Sequence, residues 1–238
     1  MDLTNRTAIV TGGTRGIGRA IATSLVAAGV KVAITARSER DLSDAVSKLG
    51  NAGGYVCDVR DYEQVKSTIA QITADLGGID ILVNNAGILR IAPLENISEE
   101  RWDETLAVHL KGTFNCTQAV LPFMKQQRKG KIINLAAPSA LRGSYGVADY
   151  AAAKGGIIAF TRNAANELKA YNIQVNCISP TADTRMTEAL TKFRREQLGI
   201  AQREREFISP DAIAPAFVFF ASSDSDYVSG QLLEVGRV

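Results

Sequence analysis

The sequence holds one histidine, His109, and three cysteines, Cys57, Cys116 and Cys177, in 238 residues. The cysteines are far apart and form no CxxC pair. A two-histidine motif or a dedicated zinc site would lack ligands, so no metal is expected. An odd, scattered set of cysteines in apolar contexts reads as free thiols of a reducing compartment, which predicts a cytoplasmic location. Charge of one sign is not in excess either: 27 Lys+Arg against 25 Asp+Glu leave a net charge of +2. That excludes a nucleic-acid binder working by bulk electrostatics and an acidic solvating tail. No apolar run approaches the roughly 18 residues of a membrane span. The start, Met1-Asp2-Leu3-Thr4-Asn5-Arg6, leaves no room for a charged head, an apolar stretch and a cleavage site, so neither membrane insertion nor secretion is expected. Linkers, repeats and low-complexity segments are missing too, and residues 1–238 read as one domain.

What is present is an ordinary globular composition, 46% hydrophobic and 22% charged, able to bury a core without staples. Short β-branched runs alternate with longer amphipathic stretches. Strands are predicted at 7–10, 31–35, 55–57, 79–83, 131–135, 174–178 and 232–235, and helices at 16–28, 39–49, 62–76, around 99–127 (two of them) and 150–170. Glycines 29, 50 and 77 follow three of these helices, as left-handed C-caps require. Apolar strands without alternation imply burial on both faces. The pattern predicts an α/β fold, a parallel sheet covered on both faces in three α/β/α layers with right-handed crossovers. Residues 181–207, rich in Arg, Glu and Thr, follow the sixth strand and read as a mobile helical flap over a substrate site.

Thr11-Gly12-Gly13-Thr14-Arg15-Gly16-Ile17-Gly18 lies between the first strand and the first helix. Glycines there permit a tight turn and let backbone approach a pyrophosphate at the helix N-terminus. The spacing is Gly-x-x-x-Gly-x-Gly, and it begins a resemblance that runs through nearly the whole chain. Asn84-Asn85-Ala86-Gly87, Asp58-Val59, Tyr150-Ala151-Ala152-Ala153-Lys154 and Ser179-Pro180 follow in the order and at the distances of the short-chain dehydrogenase/reductase family. The chain resembles that family's compact single-domain branch, which includes 3-oxoacyl-carrier-protein reductases and secondary-metabolite reductases. The resemblance implies nicotinamide binding by Gly12, Thr14, Arg15, Gly16, Ile17, Gly18, Asp58, Val59, Asn85, Ala86, Gly87, Tyr150, Lys154, Pro180 and Thr184, with Asp58 at the adenine and Lys154 on the ribose hydroxyls. It also implies a doubly wound Rossmann-type sheet of strand order 3-2-1-4-5-6-7, and a homo-tetramer or homo-dimer packed through helices at 111–127 and 150–170.

Thr35-Ala36-Arg37-Ser38 carries no acid where one would pair with a ribose 2′-hydroxyl, and Arg37 and Arg15 offer charge to a 2′-phosphate. The expected cofactor is NADP(H), with Ser38 beside Arg37. Tyr150 and Lys154, four apart, share a helix face. A nearby ammonium lowers a phenol's pKa, which suits Tyr150 as acid/base. The expected reaction is hydride transfer between the nicotinamide and a ketone or secondary alcohol. Leu89, Ile91, Leu141, Tyr145, Met186 and Leu190 suit a small apolar carbonyl substrate, while Arg142, Arg185 and the Arg-rich flap leave an anionic one open.

Two positions depart from the family. Ala137 stands thirteen residues before Tyr150, where a serine is usual. Ser139, a water or nothing replaces its hydroxyl; loss of such a donor costs roughly 10²–10³ in rate. His109 stands where asparagine is usual, and could support a proton relay or titrate near neutral pH. The alternatives are a weakened nucleotide-binding relative and an imine-reducing or non-redox one.

Overall fold

A computed structural model describes residues 3–199 and 208–236. Seven parallel strands form one sheet: β1 (Thr7–Thr11), β2 (Lys31–Ala36), β3 (Ala52–Val56), β4 (Ile81–Asn84), β5 (Gly130–Leu135), β6 (Ile173–Pro180) and β7 (Leu232–Val235). The order is 3-2-1-4-5-6-7, as the family resemblance implies. Nine helices join them among the described residues: α1 (Gly16–Ala27), α2 (Glu39–Leu49), α3 (Tyr62–Leu76), α4 (Glu99–Leu106), α5 (Gly112–Gln127), α6 (Ser139–Arg142), α7 (Ala148–Leu168), α8 (Arg185–Leu198) and α9 (Pro210–Ala221).

Strand alternation divides the core into two layers. Ala8 and Val10 of β1 join α1, α2 and α9 in one apolar cluster, while Ile9 joins α3, α5 and α7 in the other. The order in which strands are added to the sheet reverses between β1 and β4, and a crevice at such a switch, outside the carboxyl ends of the strands, is where these sheets bind ligands. All three cysteines are free and buried. No helix among the described residues is long and apolar enough to cross a membrane.

The sequence reading needs three corrections. β3 begins three residues earlier than predicted: Gly53-Gly54 argue against a strand by propensity, yet a Cβ on Gly54 would stand 3.0 Å from Val46 Cγ2 of α2, so close packing selects glycine there. The two helices around 99–127 are one continuous rod, in which α4 passes into α5 through a π-helical turn at Ala107–Lys111. α9 was not anticipated. It is apolar nearly all round because it lies against α1 and the sheet, and it contains Pro215. Its signal was Ser209-Pro210-Asp211, where Ser209 Oγ accepts from Ala212 N and proline takes the first turn. The helical part of the predicted flap is α8; residues 200–207 of that segment lie outside the described residues.

Candidate active site

The glycine turn is built by exclusion. A Cβ on Gly13 would lie 2.5 Å from Ile34 Cγ2, and one on Gly18 would lie 2.4 Å from both Asn85 Nδ2 and Gly12 O. Gly12 has φ +66°, and a Cβ there would stand 3.0 Å from Ala86 Cα. Gly16, φ +55°, faces open space. Arg15 is the N-cap of α1 but makes no side-chain cap bond, and the first turn holds no acid. The helix therefore presents uncapped N–H groups and an open glycine, a fit for a pyrophosphate. Ile17 packs into the core, and Thr14 is half-buried beside it.

Asn85 fixes this turn. Its Nδ2 donates to Thr11 O (2.8 Å) and Gly12 O (3.1 Å), and the N–H groups of Asn85 and Ala86 both donate to Thr11 Oγ1 (3.0 Å each). Beyond the end of β3, Arg60 grips Asp58 at 2.6 Å and, with help from Arg37, holds its carboxyl below the usual range. Arg37 is exposed, and Ser38 caps α2 by accepting from Asp41 N. Val59 is buried against Gly112, and its carbonyl accepts from Asn115 Nδ2 at 2.8 Å.

The chemical residues gather at the carboxyl ends of β4, β5 and β6. Lys154 is buried in α7 and donates from Nζ to Leu135 O at the end of β5 (2.7 Å). Its ammonium stands 5.6 Å from the centroid of the Tyr150 ring. Burial pulls Lys154 down to about 8 and pushes Tyr150 up to about 12. The expectation that Lys154 lowers the Tyr150 pKa is thus reversed in the protein alone: the ammonium is tied to a carbonyl and desolvation governs the phenol. Ser139 opens α6, which packs along α7, and its buried Oγ has no hydrogen-bond partner among the described residues. Ala137 is buried. Pro180 ends β6 in register with Val235 of β7. Thr184 caps α8 in a reciprocal box with Thr187, so its hydroxyl is engaged.

His109 sits in the π-turn, 2% exposed, with its ring edge-on to Tyr150 at 5.0 Å. Nε2 lies 2.8 Å from Ile88 O, Ile88 N–H approaches the same atom at 3.2 Å, and Nδ1 is buried without a partner. A Cβ on Gly87 would be 2.4 Å from His109 Cε1, so that glycine makes room for the imidazole. Burial first, then Lys154, pushes His109 down to about 3. Neutral-pH titration is thereby corrected: an ammonium neighbour and desolvation oppose a second cation. Between the ordinary value of 6.5 and about 3, the unfolded chain binds the proton that folded His109 refuses. Falling pH through that window therefore costs stability. With one histidine in the chain, a single set of imidazole NMR signals reports it. They are expected to stay fixed from pH 8 to 5, and a midpoint inside that range would contradict the burial described.

Sequence reasoning missed Asp149 and Arg101. Arg101 Nε and Nη2 meet the two carboxylate oxygens of Asp149 at 2.9 and 3.2 Å, with side chains 11% and 1% exposed. Thr105 Oγ1 adds a bond at 3.0 Å. Burial pushes the Asp149 carboxyl up, but bonds from Arg101, the Tyr150 backbone N–H and Thr105 outweigh it and hold it low. The available signal was position alone, an acid immediately before Tyr150.

A parallel sheet with an uncapped glycine turn at its switch point and a Tyr/Lys pair beyond its strand ends defines a Rossmann-type oxidoreductase. The chain belongs to the short chain dehydrogenase family, whose profile matches residues 6–195. It is 37% identical over 240 residues to the 3-oxoacyl-[acyl-carrier-protein] reductase of Thermotoga maritima, covering 99% of this chain and 98% of the relative. The same enzyme of Vibrio cholerae is 38% identical over 237 residues, covering 99% and 97%. A solved structure of a variant actinorhodin polyketide ketoreductase with NADPH superposes with TM-score 0.92 at 28% identity, covering 99% of this chain and 97% of the other.

Proposed function

We propose that the protein is an NADPH-dependent ketoreductase acting on a small apolar carbonyl compound. The observation that carries this reading is the Tyr150–Lys154 pair on α7, with Lys154 anchored to the end of β5. A phenol pushed up to about 12 keeps its proton at neutral pH, the form a reductase needs in order to donate it to a substrate oxygen. Lys154 keeps N–H groups free beyond its bond to Leu135, and its charge stabilises the phenolate as the proton leaves. The partnerless Ser139 hydroxyl supplies the hydrogen bond that Ala137 cannot. NADPH, when bound, supplies the hydride.

The glycine turn and α1 would hold the pyrophosphate, and Arg15 and Arg37 the 2′-phosphate; neither arginine has an ion-pair partner among the described residues. An acid at the end of β2 would repel that phosphate. Arg37→Asp is expected to lower kcat/KM with NADPH by about 10- to 100-fold, through a lost charge-assisted bond plus repulsion, and to raise the relative use of NADH. Equal loss with both cofactors would remove the basis for NADPH preference.

The apolar substrate reading rests on α8. Its Phe193 stacks on Tyr145 (centroids 6.2 Å, 19°) and closes on Gly146 and Ile91, while Leu141, Tyr145 and Met186 stay exposed near the strand ends. We read α8 as the flap over the substrate. Exposed Phe114 on α5, edge-on to Phe160 of α7, fits self-association through these helices as a homo-dimer or homo-tetramer. The direct test is NADPH oxidation by the purified protein over a panel of ketones with the alcohol product identified. NADPH binding without turnover on any carbonyl would favour the weakened relative that buried Ala137 suggests, and an amine product would favour imine reduction.

A further inference from the structure

We infer that the Arg101–Asp149 pair is a positioning device that holds Tyr150, edge-on to His109, in place to give its proton to the substrate oxygen. This rests on the ketoreductase reading of the same site.

The argument begins with cost. Both side chains are nearly buried, and a buried ion pair contributes little net stability, because desolvation offsets its attraction and well-packed apolar residues would serve as well. Its placement is what distinguishes it. Arg101 lies on α4 in the same continuous rod as His109, and Asp149 immediately precedes Tyr150 on α7. The guanidinium also donates from Nη2 to Arg90 O at 2.9 Å, and Arg90 returns to α4 through Glu104 at 2.6 Å. Arg90 is two residues beyond Ile88, whose peptide groups hold His109 Nε2. One guanidinium thus joins the three segments that carry Tyr150, His109 and the partner of His109. The bidentate fork fixes direction as well as distance, which a single bond would not. The two rings it brings together meet edge-on at 5.0 Å, with His109 Nδ1 left free to accept.

The test separates positioning from folding. In the double variant Arg101→Met/Asp149→Leu, apolar side chains replace both charges, so melting temperature and NADPH affinity are expected to stay near those of the parent. Carbonyl reduction is expected to fall in kcat by about 10- to 100-fold, the scale of a small misplacement of reacting groups. NMR of the single imidazole in untagged protein is expected to show shifted or doubled Nε2 and Nδ1 signals as His109 loses its fixed setting. Parental kcat with an unchanged imidazole spectrum would overturn the proposal, as would losses of activity, NADPH affinity and melting temperature in proportion. If the double variant does not fold, Arg101→Lys takes its place, keeping the charge opposite Asp149 while removing the bidentate fork, with the same expected split and the same overturning results. If the parent protein reduces no carbonyl, the ketoreductase reading fails, while the imidazole spectrum still decides whether the pair sets His109.

Discussion

Tyr150→Phe is expected to lower kcat for carbonyl reduction by about 10²–10⁴-fold, the range supplied by a positioned general acid. The substitution removes one oxygen and keeps the ring that meets His109 edge-on at 5.0 Å. The fold and the glycine turn should therefore be untouched, and NADPH should bind as before. The proton that Tyr150 holds at neutral pH has no obvious substitute: His109, pushed down to about 3, carries none to give. Single-turnover kinetics with NADPH fluorescence as the binding control would check this, and a parental rate in the variant would show that another group donates.

Ser139→Ala is expected to cost about 10²–10³-fold in kcat, as for one lost oxyanion donor. The Ser139 hydroxyl is buried without a partner, and such a group carries a desolvation cost unless something pairs with it. A carbonyl oxygen between it and Tyr150 would be that partner. Restoring a hydroxyl by Ala137→Ser in the Ser139→Ala background is expected to recover part of the loss, since Ala137 is buried on the turn leading into α6. If Ser139→Ala behaves as the parent while Ala137→Ser alone raises the rate, the donor is missing and Ser139 is only a turn residue.

The sequence made the sheet legible because its strands are apolar on both faces and three of the predicted helices stop at a glycine. The bounds of α2 and α3 can be read from those signals, while strand order comes with the family resemblance. β3 and α9 resisted for opposite reasons. Glycines 53 and 54 hide a strand whose neighbours demand small residues, and an all-apolar helix has no polar stripe to reveal its period. At the site, motif spacing located Tyr150 and Lys154, but the consequences of burial were out of reach. A phenol pushed up and an imidazole that stays neutral depend on what surrounds them. The Arg101–Asp149 pair joins residues 48 apart in sequence, and no local pattern announces such a partnership.

The π-turn at Ala107–Lys111 has a further consequence. One additional residue per turn acts as a phase slip of about 100° between the two ends of the rod. No single helical wheel can describe Glu99–Gln127: α4 turns Arg101 and Thr105 to Asp149, while α5 turns Cys116, Val120 and Met124 to the sheet. The slip lets one rod serve two masters, the reaction chamber and the hydrophobic layer. Its length in residues, more than the identity of any side chain in it, keeps those two faces in step.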